Sequence, residues 1–195
     1  MDIIRYLPRS GRARALASGI GAAAVGAAAA VGGSALSASA NQGAPAVTPK
    51  CATSDLRVWL GVPGDSATGH TAYQLELSNI SGHACTLEGY PSVSAVRSGG
   101  GQLGSAAAHD SSDPKKLVTL ATGGTAHVFL LTTDVAFFSS SACHPTTAFG
   151  LKVYPPNDTS AQVVPFSLGA CAEAGPVFLR VRVVVAGTGI PGFSS

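Results

Sequence analysis

Between Ala72 and Ser78 apolar and polar residues alternate strictly, with Tyr73, Leu75 and Leu77 on one side and Gln74, Glu76 and Ser78 on the other. A period of two is that of a strand with one buried face. Asn79, Ser81 and Gly82 then supply turn chemistry, because Asn and Ser side chains bond nearby backbone and Gly accepts positive φ. Cys85 and Leu87 resume the inward alternation. Gly89-Tyr90-Pro91 ends it, since proline fixes φ and has no N–H for a ladder. Tyr90 is expected to be a corner residue, with a buried ring and a hydroxyl bonded to backbone.

The same reading predicts a first core strand over residues 55–62, with Leu56, Val58 and Leu60 inward and a turn at Pro63-Gly64-Asp65. Trp59 points the other way, to cover a sheet edge or pack on the second sheet. Residues 93–97 form the next strand, residues 98–113 a long loop and residues 117–120 another strand. After a Gly123-Gly124 turn, residues 125–132 carry Val128 and Leu130 on one side and Phe129 and Leu131 on the other, as a central strand does. A second long loop covers residues 134–144, and Phe149, Leu151 and Val153 make the next strand face. Pro155-Pro156-Asn157-Asp158 is a turn, and residues 162–168 are a strand interrupted by Pro165. The cleanest alternation comes last: Val177, Leu179, Val181, Val183 and Val185 inward, with Phe178, Arg180, Arg182 and Val184 outward. About eight or nine short strands without intervening helices describe an all-β, immunoglobulin-like antiparallel β-sandwich. Closure into a barrel would share the pattern.

Composition sets the N-terminus apart from this domain. Arg5, Arg9, Arg12 and Arg14 precede an uncharged, Ala/Gly-rich segment, and Ser37-Ala38-Ser39-Ala40 offers a small-residue cleavage site. Residues 1–40 therefore read as a signal peptide, followed by a lead-in over 41–50, the domain over 51–187 and a tail over 188–195. The segment is long enough to span a membrane if it stays uncut. Its strongly apolar residues are few, however, and glycines dilute them. The whole chain has a formal charge of +2, with 12 basic and 10 acidic residues. Cleavage after Ala40 takes four arginines and Asp2, which leaves eight basic and nine acidic residues and a net charge of about −1. Nothing in that balance recommends a nucleic-acid partner, which requires clustered Lys and Arg. The expectation is one domain, acting as a monomer.

Four cysteines, Cys51, Cys85, Cys143 and Cys171, in an exported chain imply two disulfides, for which three pairings exist. Zinc is the weaker reading, because no Cys-x-x-Cys occurs. The spaced set Gly69-His70, Leu75, Leu77, Asn79, Ser81, Cys85, Leu87 and Gly89-Tyr90-Pro91 resembles an actinobacterial family of secreted domains, the domain of unknown function DUF4232. An early cysteine matches at Cys51, a mid-chain glycine turn at Gly123-Gly124, and two late cysteines at Cys143 and Cys171. Members often read Pro-Gly before the mid-chain strand, where this chain has Ala121-Thr122-Gly123-Gly124, so a different turn type is expected there. The resemblance implies a β-sandwich outside the cytoplasm and brings no activity. The pairing Cys51–Cys85 and Cys143–Cys171 is compatible with it, and each bridge then flanks a local strand group.

Candidate chemistry is sparse. His109-Asp110-Ser111 has the residue types of a hydrolytic triad, but adjacent loop residues rarely face one another and triads assemble from distant positions. No Gly-x-Ser-x-Gly elbow occurs. His70, His83, His109, His127 and His144 are scattered; three of them, His70, His83 and His144, fall in turn regions that share an end only if the fold brings them there. The only methionine is Met1, which removes a thioether-ligated copper site. Surface solvation accounts for Asp110 with Asp113, and for Glu76 with Glu88, as carboxylate pairs. Asn79-Ile80-Ser81 and Asn157-Asp158-Thr159 spell glycosylation sequons and are read as turns. No catalytic residue, metal or cofactor is expected.

The two long loops remain as binding surface, because sandwiches carry function on their end loops. The expected contact residues are Phe137 and Phe138, adjacent in a Ser-rich loop, with His109 and Asp110 in the other. The alternative is that one phenylalanine fills the core beneath the Cys143 bridge. These readings describe a secreted or envelope-associated, non-enzymatic domain that binds an envelope or extracellular partner. Two others compete with it: an extracellular hydrolase drawing on residues 109–113, and a purely structural envelope component.

Overall fold

The structure is a computed structural model and describes residues 47–189; the segment read as a signal peptide, most of the lead-in and the end of the tail lie outside the described residues. Its strands are β1 (Leu56–Ala67), β2 (His70–Asn79), β3 (Cys85–Glu88), β4 (Ser92–Val96), β5 (Gln102–Leu103) and β6 (Ala108–His109). They continue as β7 (Leu117–Leu120), β8 (Thr125–Thr133), β9 (Pro145–Tyr154), β10 (Gln162–Cys171), β11 (Leu179–Val181) and β12 (Val185–Ala186). Two 3-10 turns, Thr53–Asp55 and Val135–Phe137, and one helical turn, α1 (Ser140–Cys143), complete it. One sheet runs β1-β2-β8-β11-β6, with β12 also on β8; a second runs β10-β9-β4-β5; β3 and β7 form a separate pair. The result is an all-β sandwich, open rather than closed into a barrel. Pairing is antiparallel apart from β11 with β6 and an isolated Lys50–Thr86 bridge.

The alternation in β2 explains the core. Leu75 and Leu77 join Val128, Leu130, Leu179 and Val181 from the same sheet, and Val93, Ala95, Leu151 and Val153 from the other, in one buried cluster. Both disulfides form as expected, Cys51–Cys85 and Cys143–Cys171, and all four cysteines are buried in that cluster.

The turn after β2 is the joint of the molecule. Asn79 is buried, and its Oδ1 accepts from Ser81 N–H at 2.9 Å and Ser81 Oγ at 2.7 Å, the Asx turn its residue type favours. Its Nδ2 donates to the carbonyls of His83, Leu120 and Ala121 at 2.9, 3.1 and 3.2 Å. The backbone closes the joint: Asn79 N–H donates to Gly124 O, and Gly123 N–H donates to Asn79 O. One side chain thus ties β2, the loop before β3, and the β7–β8 turn. The amide of this sequon is spent on structure.

Several expectations differ from the structure in whole or in part, each for a local reason. Pro63-Gly64-Asp65 is no turn; β1 runs through it, with register slips between Leu60 and Pro63 and between Pro63 and Ser66. A proline without an N–H is tolerated at a bulge on an edge strand, and the turn comes at Thr68-Gly69. Trp59, on the edge strand β1, faces away from the second sheet: its Nε1 donates to Ser78 Oγ at 3.2 Å, on the outer face of β2. Phe149 is 52% exposed, because β9 slips against β10 between the Gly150–Pro165 and Ala148–Leu168 pairs and the alternation changes phase. The final strand, cleanest in sequence, is the most broken. Val181 pairs with Leu130 but Val185 with His127, so four steps on one strand face three on the other. The extra residue is a bulge; Val184 N–H turns to Gly89 O at 2.9 Å, Val183 and Val184 are both buried, and Phe178 is in the core.

Beyond this bulge the chain crosses the outer face of the first sheet as a strap. Gly189 N–H donates to Glu76 Oε1 at 2.9 Å, and Gly187 O lies 2.8 Å from His127 Nδ1. Glu76, expected at the surface, is 0% exposed. Among the described residues, its Oε2 and the neighbouring Gln74 Oε1 have no donor. Burial pushes the Glu76 carboxyl above its usual 4.5, against the Gly189 hydrogen bond and the nearby His127, which pull it down. Native chain then holds more protons than unfolded chain just above pH 4.5, so stability falls as pH rises through that window. Glu76→Gln, which carries a donor without charge, should flatten this slope. At pH 8 it should raise the unfolding free energy by about 1–3 kcal/mol, the cost of a buried acceptor left unpaired. Denaturant titrations of both proteins at pH 5 and pH 8 check it, and parallel slopes in the two would refute the assignment.

Candidate functional site

At one end of the sandwich the β1–β2 hairpin, the end of β8 and β10 enclose a cleft of about 430 Å³. The hairpin closes on Thr68-Gly69, with Ala67 opposite His70 and Gly69 at φ +76°. Asp134, just past β8, donates its N–H to Gly69 O at 2.8 Å. Its side chain caps the following 3-10 turn by accepting from Ala136 N–H at 2.9 Å. That turn delivers Phe137 onto Gly69, where a Cβ would lie 2.1 Å from Phe137 Cε2. Only glycine lets the ring settle there, and it leaves the ring 64% exposed. Phe138 turns the other way and packs against the core. One of the adjacent rings is therefore exposed and the other packs inward.

α1 and the Cys143–Cys171 bridge hold this wall from behind. His144 ends α1 in the left-handed region at φ 46°, and Ala172 N–H donates to Cys143 O at 2.9 Å. Inside the cleft, His70 Nδ1 is 3.1 Å from Thr133 Oγ1, and Thr132 Oγ1 donates to Thr71 O. Tyr73 meets Phe166 edge-on at 4.9 Å between ring centres. Among the described residues Asp134 is the only carboxylate lining the cleft, and no lysine or arginine lines it.

His109 and Asp110 belong elsewhere. The His109 ring, on β6, stacks on Tyr90 at 4.2 Å and 5° between planes, and Lys115 Nζ sits 5.5 Å from the Tyr90 centroid. The Tyr90 corner is thus held through its ring. Asp110 accepts from Ser112 N–H at 3.1 Å and from Arg182 Nε at 3.0 Å. Hydrogen bonds from Ser112, then Arg182, hold its carboxyl below the usual range. Arg182 in turn covers the Phe129 ring at 4.9 Å. The contacts of His109 and Asp110 run to these partners, the cleft is lined without them, and no hydrogen bond joins Ser111 to either among the described residues. What they brace is the β6–β11 edge.

The histidines stay apart as well: His83 is 3.9 Å from Asp55, His127 lies under the strap, and His70 is in the cleft. Among the described residues no group of three His, Cys, Asp or Glu side chains is placed to hold a metal ion. Sequence reasoning missed Asp134 and the role of His70, which are far apart in the chain and meet through the His70–Thr133 register. The signals were Gly69-His70 in the spaced motif and an Asp opening the Phe137 loop.

Neither a curated protein nor a solved structure matches the chain. A family model does match, over residues 51–184, from the first cysteine through β11 to the bulge. The chain belongs to that family, the domain of unknown function DUF4232.

Proposed function

We propose that the chain is an exported domain whose work is binding, and that it binds at the end cleft with Phe137 on the rim. Two disulfides suit an oxidising compartment, and the basic, Ala/Gly-rich N-terminus reads as an export signal. Among the described residues no helix is long and apolar enough to cross a membrane. The observation that carries the reading is Phe137: a glycine at positive φ is spent to seat a large apolar ring in solvent beside a polar cleft.

The test is recovery of a component from envelope extracts on the immobilised chain. Phe137→Ser should lose it with little change in stability, because the ring is largely exposed. Gly69→Ala should lose it too, although Phe137 is still present, because the new methyl group evicts the ring. Phe138→Ser would confuse the result by damaging the core. Equal recovery by the parent and Phe137→Ser removes the cleft from the reading.

A further inference from the structure

The cleft's chemistry narrows what it takes. Its polar lining is mostly hydroxyl: Ser66, Thr71, Thr132, Thr133, Ser167 and the Tyr73 phenol. Hydroxyls already donating, as Thr132 Oγ1 does to Thr71 O, keep lone pairs to accept with. Among the described residues no lysine or arginine lines the cleft, so an anionic ligand finds no counter-charge among them. Asp134 has one oxygen engaged as the cap of the 3-10 turn, and the carboxylate accepts strongly from neutral O–H donors. At the rim the Phe137 ring rests on Gly69, which itself lines the cleft. The volume, about 430 Å³, falls within the range of about 300–1,000 Å³ of small-molecule sites.

We infer that the cleft binds a neutral saccharide, the end or a short stretch of an uncharged polysaccharide. A sugar matches both halves of the site at once. Its hydroxyls exchange hydrogen bonds with the Ser and Thr side chains, the His70 ring and Asp134. The apolar C–H face of one ring lies on Phe137, whose π-face attracts the slightly positive hydrogens. A cationic ligand would use Asp134 and the aromatic ring but leave the hydroxyl lining unmatched. A peptide strand adding to β1 or β10, the edge strands that line the cleft, would use backbone groups and leave the hydroxyl lining and Phe137 unmatched.

This inference rests on the binding reading above, and the experiment separates the two. The purified chain is titrated with neutral disaccharides and tetrasaccharides, and separately with a lysine-rich peptide, by isotope-edited NMR. Saccharide should shift the amides of residues 66–73 and 132–137. Phe137→Ala should weaken binding at least about tenfold, and so should Asp134→Asn, which keeps the cap acceptor and exchanges the other oxygen for a donor. Thr119→Ala, on the exposed face of β7, serves as the control and should bind as the parent does. Peptide binding that depends on Asp134, with saccharides silent, overturns the inference. Silent saccharides with Phe137-dependent recovery from extracts overturn the ligand class and leave the binding reading standing. Silence in both overturns both.

Discussion

Asn79→Asp should cost the domain about 3–5 kcal/mol, at least as much as Asn79→Ala, although it is the closer mimic in shape. The reason lies in the two halves of the amide. Asp keeps the acceptor, so Ser81 N–H and Oγ are still served. It loses the donor, and the carbonyls of His83, Leu120 and Ala121 lose one bond each, although Ser81 Oγ still serves His83 O and Gly124 N–H still serves Ala121 O. A buried acceptor left unpaired costs about 1–3 kcal/mol, and a charge pointed at carbonyl oxygens adds repulsion. Denaturant unfolding of the two variants against the parent measures this. If Asn79→Asp lies within about 1 kcal/mol of the parent, the joint is held by the turn rather than by the donor.

The Cys143→Ala/Cys171→Ala double variant should lose about 3–4 kcal/mol, as expected for opening a closed loop with 28 residues of sequence separation. In a domain of this size that is a fall in melting temperature of about 10 °C. The loss is also local in a way that opening Cys51–Cys85 is not. Cys143 ends α1, immediately after the segment that turns Phe137 out and Phe138 in. Below its melting temperature, the variant should still show native sheet signals but recover less partner than the parent. Cys51→Ala/Cys85→Ala, with a separation of 34 residues, should lose similar stability and keep partner recovery while folded. Equal recovery by both double variants would detach the bridge from the cleft.

The two-residue period was a sound guide wherever a strand keeps one register along its length. β2 is such a strand, and so Leu75 and Leu77 could be placed inside from their spacing alone. It misled where a bulge resets the phase, since a residue added to one strand shows only against its partner. Val177 to Val185 is the clearest case, because its alternation is unbroken in sequence while β8 offers one residue fewer. Glu76 was misplaced for a different reason: its strand was read correctly, but the strap that covers it comes from 113 residues further along. The site shows the same division. Two adjacent aromatics in a serine-rich loop marked Phe137, but which one faces solvent depends on Gly69, a residue of another hairpin. His109 and Asp110 were drawn together by adjacency, a property of the chain, while the fold sends their side chains to Tyr90 and Arg182.

The covalent map of the domain has a further meaning for how it comes apart. One bridge encircles residues 51–85 and the other residues 143–171, so no sulfur spans the stretch between them. A single peptide cut in the exposed run around Ser111–Pro114 would yield two separately looped halves, joined by no covalent bond. They would stay together through the ladders β2–β8, β3–β7, β4–β9 and β6–β11 and the core they share, and their reassembly would depend on concentration. The domain is, in that sense, a heterodimer written as one polypeptide.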